Sequence, residues 1–319
     1  MGNRVIGQIY EVVNDNIGKV IVGKEDVTRL LVIALITNGH VLLEDVPGTG
    51  KTMLAKSLAS SLSLQFKRIQ FTPDLLPSDL SGIQYYNQRS GEFEFRAGPI
   101  FSNILLADEI NRATPRTQSS LLECMEEKQV SVDGMTMKLE APFLVIATQN
   151  PVEQQGTFPL PEAQLDRFLF KIKIGYPTSE EGVELLRRFK DKNPLQQLEP
   201  VISREMLLEA TQSYSAIEVH DDLLRYIVDL VEATRARDEV LVGVSPRGSQ
   251  ALLRASQVQA ALMGRGYVTP DDIKAMAIPT LAHRLALKGI NRSTAAAEKV
   301  IQQVLQQVTV PAEPLPERV

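Results

Sequence analysis

A single cysteine, Cys124, excludes an internal disulfide, and its place in the apolar-periodic stretch Leu121-Leu122-Glu123-Cys124-Met125 marks it as a buried structural thiol. There is no basic excess either: 34 Lys and Arg stand against 39 Asp and Glu, a net charge of −5. A chain that tracks a phosphate backbone carries the opposite balance, so no nucleic-acid partner is expected. No apolar run approaches the ~20 residues that cross a bilayer, and Met1-Gly2-Asn3-Arg4 leads into mixed polar sequence rather than a signal-peptide core. Gly2 could suggest myristoylation, but Ile6 stands where that motif wants Ser or Thr. The expectation is a cytoplasmic protein without direct membrane insertion. His40, His220 and His283 lie far apart in sequence and show no metal-ligand spacing, so no site is assigned to them.

What is present is core-forming sequence: 44% of the 319 residues are hydrophobic, enough for one large domain or two smaller ones. Short apolar runs alternate with helical patterns at Val41–Leu43, Phe66–Phe71, Ile104–Ala107, Phe143–Ala147 and Phe168–Ile174. Several are apolar throughout, as parallel strands covered on both faces should be. Beyond Pro177 strand signals vanish and helix starts recur: Thr178 with Glu181 three on, Ser245-Pro246, and Thr269-Pro270 with Asp272. The reading is an α/β domain over residues 1–176, a smaller helical domain over 177–310 and a loose tail over 311–319. Two hairpins interrupt the first domain. Ile83–Tyr86 returns through Glu92–Phe95, and Val130–Val132 returns through Met135–Met137 after an Asp133-Gly134 turn.

Between the run ending at Leu43 and a helix expected over Met53–Leu62 lies Glu44-Asp45-Val46-Pro47-Gly48-Thr49-Gly50-Lys51-Thr52. A Gly-rich strand-to-helix turn aims successive N–H groups at a phosphate, which then sits against the positive end of the helix. Lys51 would reach the β- and γ-phosphates, Thr52 would hold Mg²⁺, and Pro47, Gly48, Thr49, Gly50 and Met53 would complete the nucleotide contacts. The ordinary pattern opens with Gly, and this chain has Asp45 in that slot. Asp108-Glu109 ends the run Ile104–Ala107, where sheets of this kind place ligands. Asp108 can orient Mg²⁺ through its waters, and Glu109 can polarise the attacking water.

Leu43–Thr52, Ala107-Asp108-Glu109-Ile110-Asn111-Arg112-Ala113, Ala147-Thr148-Gln149-Asn150-Pro151 and Leu165-Asp166-Arg167-Phe168 together resemble the MoxR family of AAA+ ATPases, over roughly Val20 to Leu285. The resemblance implies a P-loop NTPase core with a parallel sheet and an all-helical lid. It implies the γ-phosphate sensor at Asn150, an arginine finger at Arg167 that reaches a neighbouring subunit, and the sensor 2 arginine at Arg247. Val22 and Gly23 match the segment that packs on adenine. The hairpins resemble the helix 2 insert and the hairpin before sensor 1, which face the ring pore in relatives.

The same resemblance implies an ATP hydrolase using ATP/ADP and Mg²⁺, a homo-oligomer in a hexameric ring, and a chaperone-like action on protein substrates. That action includes assembly or metal-cofactor maturation, with partners that carry a von Willebrand factor A domain. Two competitors differ in class. A nucleic-acid motor should have basic hairpin tips, whereas the tips here are Asp133-Gly134 and Arg89 followed by Glu92 and Glu94. A non-hydrolysing switch or scaffold would not need Glu109, Asn150 and Arg167 together. No Asn-Lys-x-Asp segment is present to read guanine.

Overall fold

The computed structural model describes residues 2–46, 48–151, 156–190, 192–289 and 293–311. Chain contacts divide it into two compact units, Gln8–Gln212 and Met1–Gly7 with Ser213–Val319. Residues 177–212, which the sequence reading counted with the helical part, therefore group with the α/β unit. The expected tail lies outside the described residues from 312 onward.

The first unit takes in α1 (Gly2–Gly18) from Gln8 onward and α2 (Glu25–Ile36). Strand β1 (Val41–Glu44), α3 (Lys51–Ser61), β2 (Phe66–Gln70) and α4 (Pro77–Ser81) follow. Next come β3 (Gly82–Asn87), β4 (Glu92–Ala97), β5 (Ile104–Asp108) and α5 (Pro115–Glu127). The unit ends with β6 (Gln129–Val132), β7 (Met135–Lys138), β8 (Leu144–Gln149), α6 (Glu162–Leu165), β9 (Phe170–Ile172), α7 (Ser179–Phe189) and α8 (Arg204–Ser213).

Five strands form one parallel sheet in the order β2-β5-β8-β1-β9. The central strands β1 and β5 are buried at every residue, which is why they read as unbroken apolar runs. On one face Leu42, Leu105, Ala107, Val145 and Ala147 pack with Leu121, Leu122 and Met125 of α5. Each leucine, valine or methionine among them contributes about 1.5–3 kcal/mol by leaving water, so this layer holds the carboxyl ends of β1, β5 and β8 in place. Cys124 lies in it, and burial pushes its thiol up to about 12, an inert structural residue.

Both expected hairpins form, β3 with β4 and β6 with β7. The second turns through Asp133 at φ 50° and Gly134 at φ 81°, the left-handed pair an Asp-Gly turn supplies. The first is pinned at its root. A Cβ on Gly82 would collide with the Arg96 carbonyl, and one on Gly98 with the Leu80 carbonyl.

The second unit holds α9 (Asp221–Arg235), α10 (Pro246–Leu262), α11 (Pro270–Leu281) and α12 (Thr294–Gln307). α11 opens on the expected capping box, with Thr269 N–H donating to Asp272 at 2.8 Å, and α10 carries Pro246 in its first turn. It also contains a ribbon that the sequence did not announce, β10 (Val240–Val242) antiparallel to β11 (Ala286–Leu287). Strands of two and three residues are too short to display a period of two.

Candidate functional site: the cleft at the carboxyl ends of β1 and β5

β1 ends at Glu44, and the chain reverses into α3 through Gly48 at φ 87° and Gly50 at φ 90°. These left-handed conformations are costly for any residue with a Cβ. No atom lies within 4 Å of where a Cβ would stand on either glycine. The glycines are thus required by the backbone, and the space above them is open to a ligand that must approach it. The Thr49 hydroxyl donates to the Val46 carbonyl at 3.2 Å, bracing the turn, and Lys51 Nζ folds back onto the carbonyls of Asp45 at 2.9 Å and Val46 at 3.2 Å. Pro47 lies outside the described residues.

The acidic pair faces this turn. Asp108 Oδ2 accepts from Arg68 Nη2 at 2.7 Å and Nε at 3.1 Å, and Oδ1 accepts from the Thr148 hydroxyl at 2.5 Å. The same hydroxyl accepts from the backbone N–H of Glu109 at 2.8 Å. Glu109 stands at φ 57°, a conformation costing about 1–3 kcal/mol that neighbours must hold in place. Thr148 holds its N–H, while its carboxylate accepts from Gln70 Nε2 at 2.7 Å and pairs with Arg112 Nε at 3.0 Å.

A cleft of about 420 Å³ is lined by Gly48, Gly50, Lys51, Thr52, Met53, Arg68, Gln70, Asp108 and Glu109. Seven of these were expected from sequence; Arg68 and Gln70, like Thr148 behind them, were not. β2 aligns Gln70 with Asp108 across the β2–β5 ladder and sets Arg68 two residues back on the same face. A polar pair at alternate positions near the end of an edge strand was the available signal. A hydroxyl at Thr52 and a carboxylate at Asp108 are hard oxygen donors beside the open glycine cradle. That donor set fits a magnesium ion that takes its remaining ligands from phosphates and water.

The other expected residues stand elsewhere. Val22 and Gly23 do not line this cleft, and Gly23 at φ 68° packs so tightly that a Cβ would collide with the Glu181 carboxylate. Asn150 is buried directly after β8. Arg167 pairs through Nε with Glu126 of α5 at 3.2 Å. Arg247 is exposed in the first turn of α10, in the second unit.

A parallel sheet in this order, with a glycine turn after β1, an acid pair after the strand two places away, and a separate helical unit, defines a P-loop ATPase of the AAA+ class. Residues 40–170 match the family model for ATPases associated with various cellular activities (AAA), and residues 232–308 match the AAA lid domain. An uncharacterised Bacillus subtilis protein, YeaC, is 50% identical over 94% of this chain and 94% of its own length. Chaperone MoxR1 of Mycobacterium tuberculosis is 42% identical over 92% of this chain and 80% of its own, and protein MoxR of Paracoccus denitrificans is 33% identical over 92% and 94%. The crystal structure of an inferred ATPase from Cytophaga hutchinsonii superposes with a TM-score of 0.90 at 41% identity, covering 98% of this chain and 97% of that one. The chain belongs to the MoxR family of AAA+ ATPases. Among the described residues no helix is long and apolar enough to cross a membrane.

Proposed function

We propose that the protein hydrolyses ATP with Mg²⁺ in the cleft between the glycine turn and Asp108-Glu109, and that a ring of copies uses the cycle to remodel or mature partner proteins. The observation that carries this reading is the convergence of Gly48, Gly50, Lys51, Thr52, Asp108 and a strained Glu109 on one cleft. Lys51 leaves the turn carbonyls to neutralise the β- and γ-phosphates, and Thr52 and Asp108 hold the metal, the latter through water. Bound metal supplies charge neutralisation at the phosphates. Glu109 orients and deprotonates the attacking water, Asn150 reads the γ-phosphate, and Arg167 and Arg247 stabilise charge on the transferred group. Val22 and Gly23 flank the base.

The remodelling role rests on kinship with a chaperone and on the β3–β4 hairpin. There Tyr86 and Phe93 meet edge to face at 5.4 Å, 54% and 72% exposed, a surface suited to protein side chains. Hydrogen bonds from Asn87, Tyr85 and Ser90 hold the Glu94 carboxyl below the usual carboxylate range, so this hairpin keeps a negative charge that repels a phosphate backbone. Partners with a von Willebrand factor A domain and a hexameric stoichiometry come from the family resemblance.

The test is ATP hydrolysis per mole of protein over a wide concentration range, with Glu109→Gln as the blank. Specific activity that rises steeply and saturates supports catalysis completed across a subunit interface. Activity flat with concentration argues against an assembly-dependent Arg167 over the range tested. Activity no greater than the blank, with nucleotide still bound, moves the switch reading ahead.

A further inference from the structure

Asp45 breaks the usual phosphate-turn pattern, and its surroundings give that departure a purpose. The parallel β1–β9 ladder pairs Val41 with Phe170, Leu42 with Lys171 and Leu43 with Ile172, then stops as β1 turns away towards Gly48. Two residues beyond the last ladder pair, the Asp45 side chain takes over. Its Oδ2 accepts from the backbone N–H of Ile174 at 3.0 Å and of Gly175 at 2.7 Å, and its Oδ1 accepts from Val46 N–H at 2.8 Å. Both N–H groups thus converge on one carboxylate oxygen, and Gly175 at φ 70° then turns the chain onward. The carboxylate is buried, and a glycine here would leave the buried Ile174 N–H without this acceptor.

The backbone of the same residue ties into the turn. Its N–H donates to Gln149 at the end of β8 at 3.1 Å, and its carbonyl accepts from Lys51 Nζ at 2.9 Å. Lys51 must give up that carbonyl to reach a phosphate, so residues 45 and 46 shift their bonding as the turn fills. Of these two, Asp45 also holds the chain that leaves β9, which three residues after Gly175 enters the Thr178–Glu181 capping box of α7. Glu181 of that box is the group against which Gly23 packs, and Lys24 Nζ lies 3.8 Å from its carboxylate and 3.4 Å from the Tyr176 carbonyl.

We propose that Asp45 is a positioning residue: a clasp that fastens the phosphate turn to the chain leaving β9, so that filling the turn is felt at residues 174–178. This rests on the reading that the turn binds nucleotide. A purely structural aspartate would stabilise both segments without linking their responses.

The experiment is amide hydrogen exchange by mass spectrometry on the full chain, comparing wild type, D45N and D45G with and without MgADP. Peptides over 48–52 and 174–178 are followed, and β5 and β8 serve as folding controls. Without nucleotide, D45G should exchange at 174–175 about tenfold or more faster than wild type. MgADP should slow exchange at both segments in the wild type, but only at 48–52 in D45G. D45N, whose amide can keep an oxygen on Ile174 and Gly175 only by turning its NH₂ onto the Val46 N–H, should show a weakened response at 174–178, and it decides the matter if D45G loses protection in β5 and β8. A response at 174–178 that persists undiminished in the folded variants, or is missing from a wild type that responds at 48–52, overturns the clasp. No wild-type response at 48–52 removes nucleotide binding itself, and the clasp falls with it.

Discussion

His40 stands one residue before β1, 4% exposed, where its imidazole joins three elements of the site. Nδ1 accepts from the Val145 N–H of β8 at 3.0 Å, and Nε2 lies 3.0 Å from the Met125 carbonyl of α5. Facing a donor on one side and an acceptor on the other, the ring must be neutral with its proton on Nε2. Burial lowers its pKa from 6.5 to about 4; the Met125 hydrogen bond works the other way, and the charge of Lys128 adds to the lowering. The unfolded chain takes up a proton below pH 6.5 while the folded chain resists until about 4. Stability from this residue is therefore fully present above pH 6.5 and is lost as the pH falls towards 4.

Between about pH 8 and about pH 5 the loss is about 2 kcal/mol, at about 1.4 kcal/mol per unit over the interval in which only the unfolded form is protonated. Urea unfolding at stepped pH measures it, with His40→Gln as the reference that removes this titration and leaves His220 and His283 unchanged. The stability difference between the two proteins should shrink by about that amount on acidification to about pH 5. Proton NMR of the His40 ring should show no titration above about pH 5. A ring that titrates near its ordinary value, or two stability profiles that run parallel with pH, would refute the reasoning.

Three further outcomes are expected at the site. Thr148→Val keeps the shape but removes the hydroxyl that bonds Asp108 and the Glu109 N–H, and should cost about 1–3 kcal/mol in urea unfolding together with a loss of turnover. A change below about 0.5 kcal/mol would show that Thr148 does not hold the acid pair. Gly50→Ala forces a Cβ into φ 90° with no neighbour to clash against, so about 1–3 kcal/mol of backbone strain should appear as weaker ADP binding by calorimetry. Unaltered affinity would mean that the turn does not need its left-handed form. Arg167→Ala should lower concentration-dependent ATP turnover about a thousandfold while leaving ADP binding intact, and equal turnover in the variant would confine Arg167 to its pair with Glu126.

The strands of the sheet were legible because burial on both faces writes itself into local sequence: β1, β5 and most of β8 admit no polar side chain on either side until their carboxyl ends. The hairpins were legible for a local reason too, since Asp133-Gly134 carries its own backbone preference. Much of the site's support is not local. Arg68 meets Asp108 across 40 residues, Gln70 meets Glu109 across 39, and His40 meets Val145 across 105. Each partner is chosen by the strand order, and no pattern within a short window encodes it. Arg167 shows the same limit from the other side, because Asp166 and Glu162 are its nearest acids in sequence whereas Glu126 is its partner in space. Asp45 shows what the limit can conceal: beside Gly48 and Gly50 it reads as a flaw in the phosphate turn, yet its carboxylate is spoken for by N–H groups 129 and 130 residues away. A residue that breaks a local rule is best judged after the sheet has placed its neighbours, because its compensation can lie on another strand.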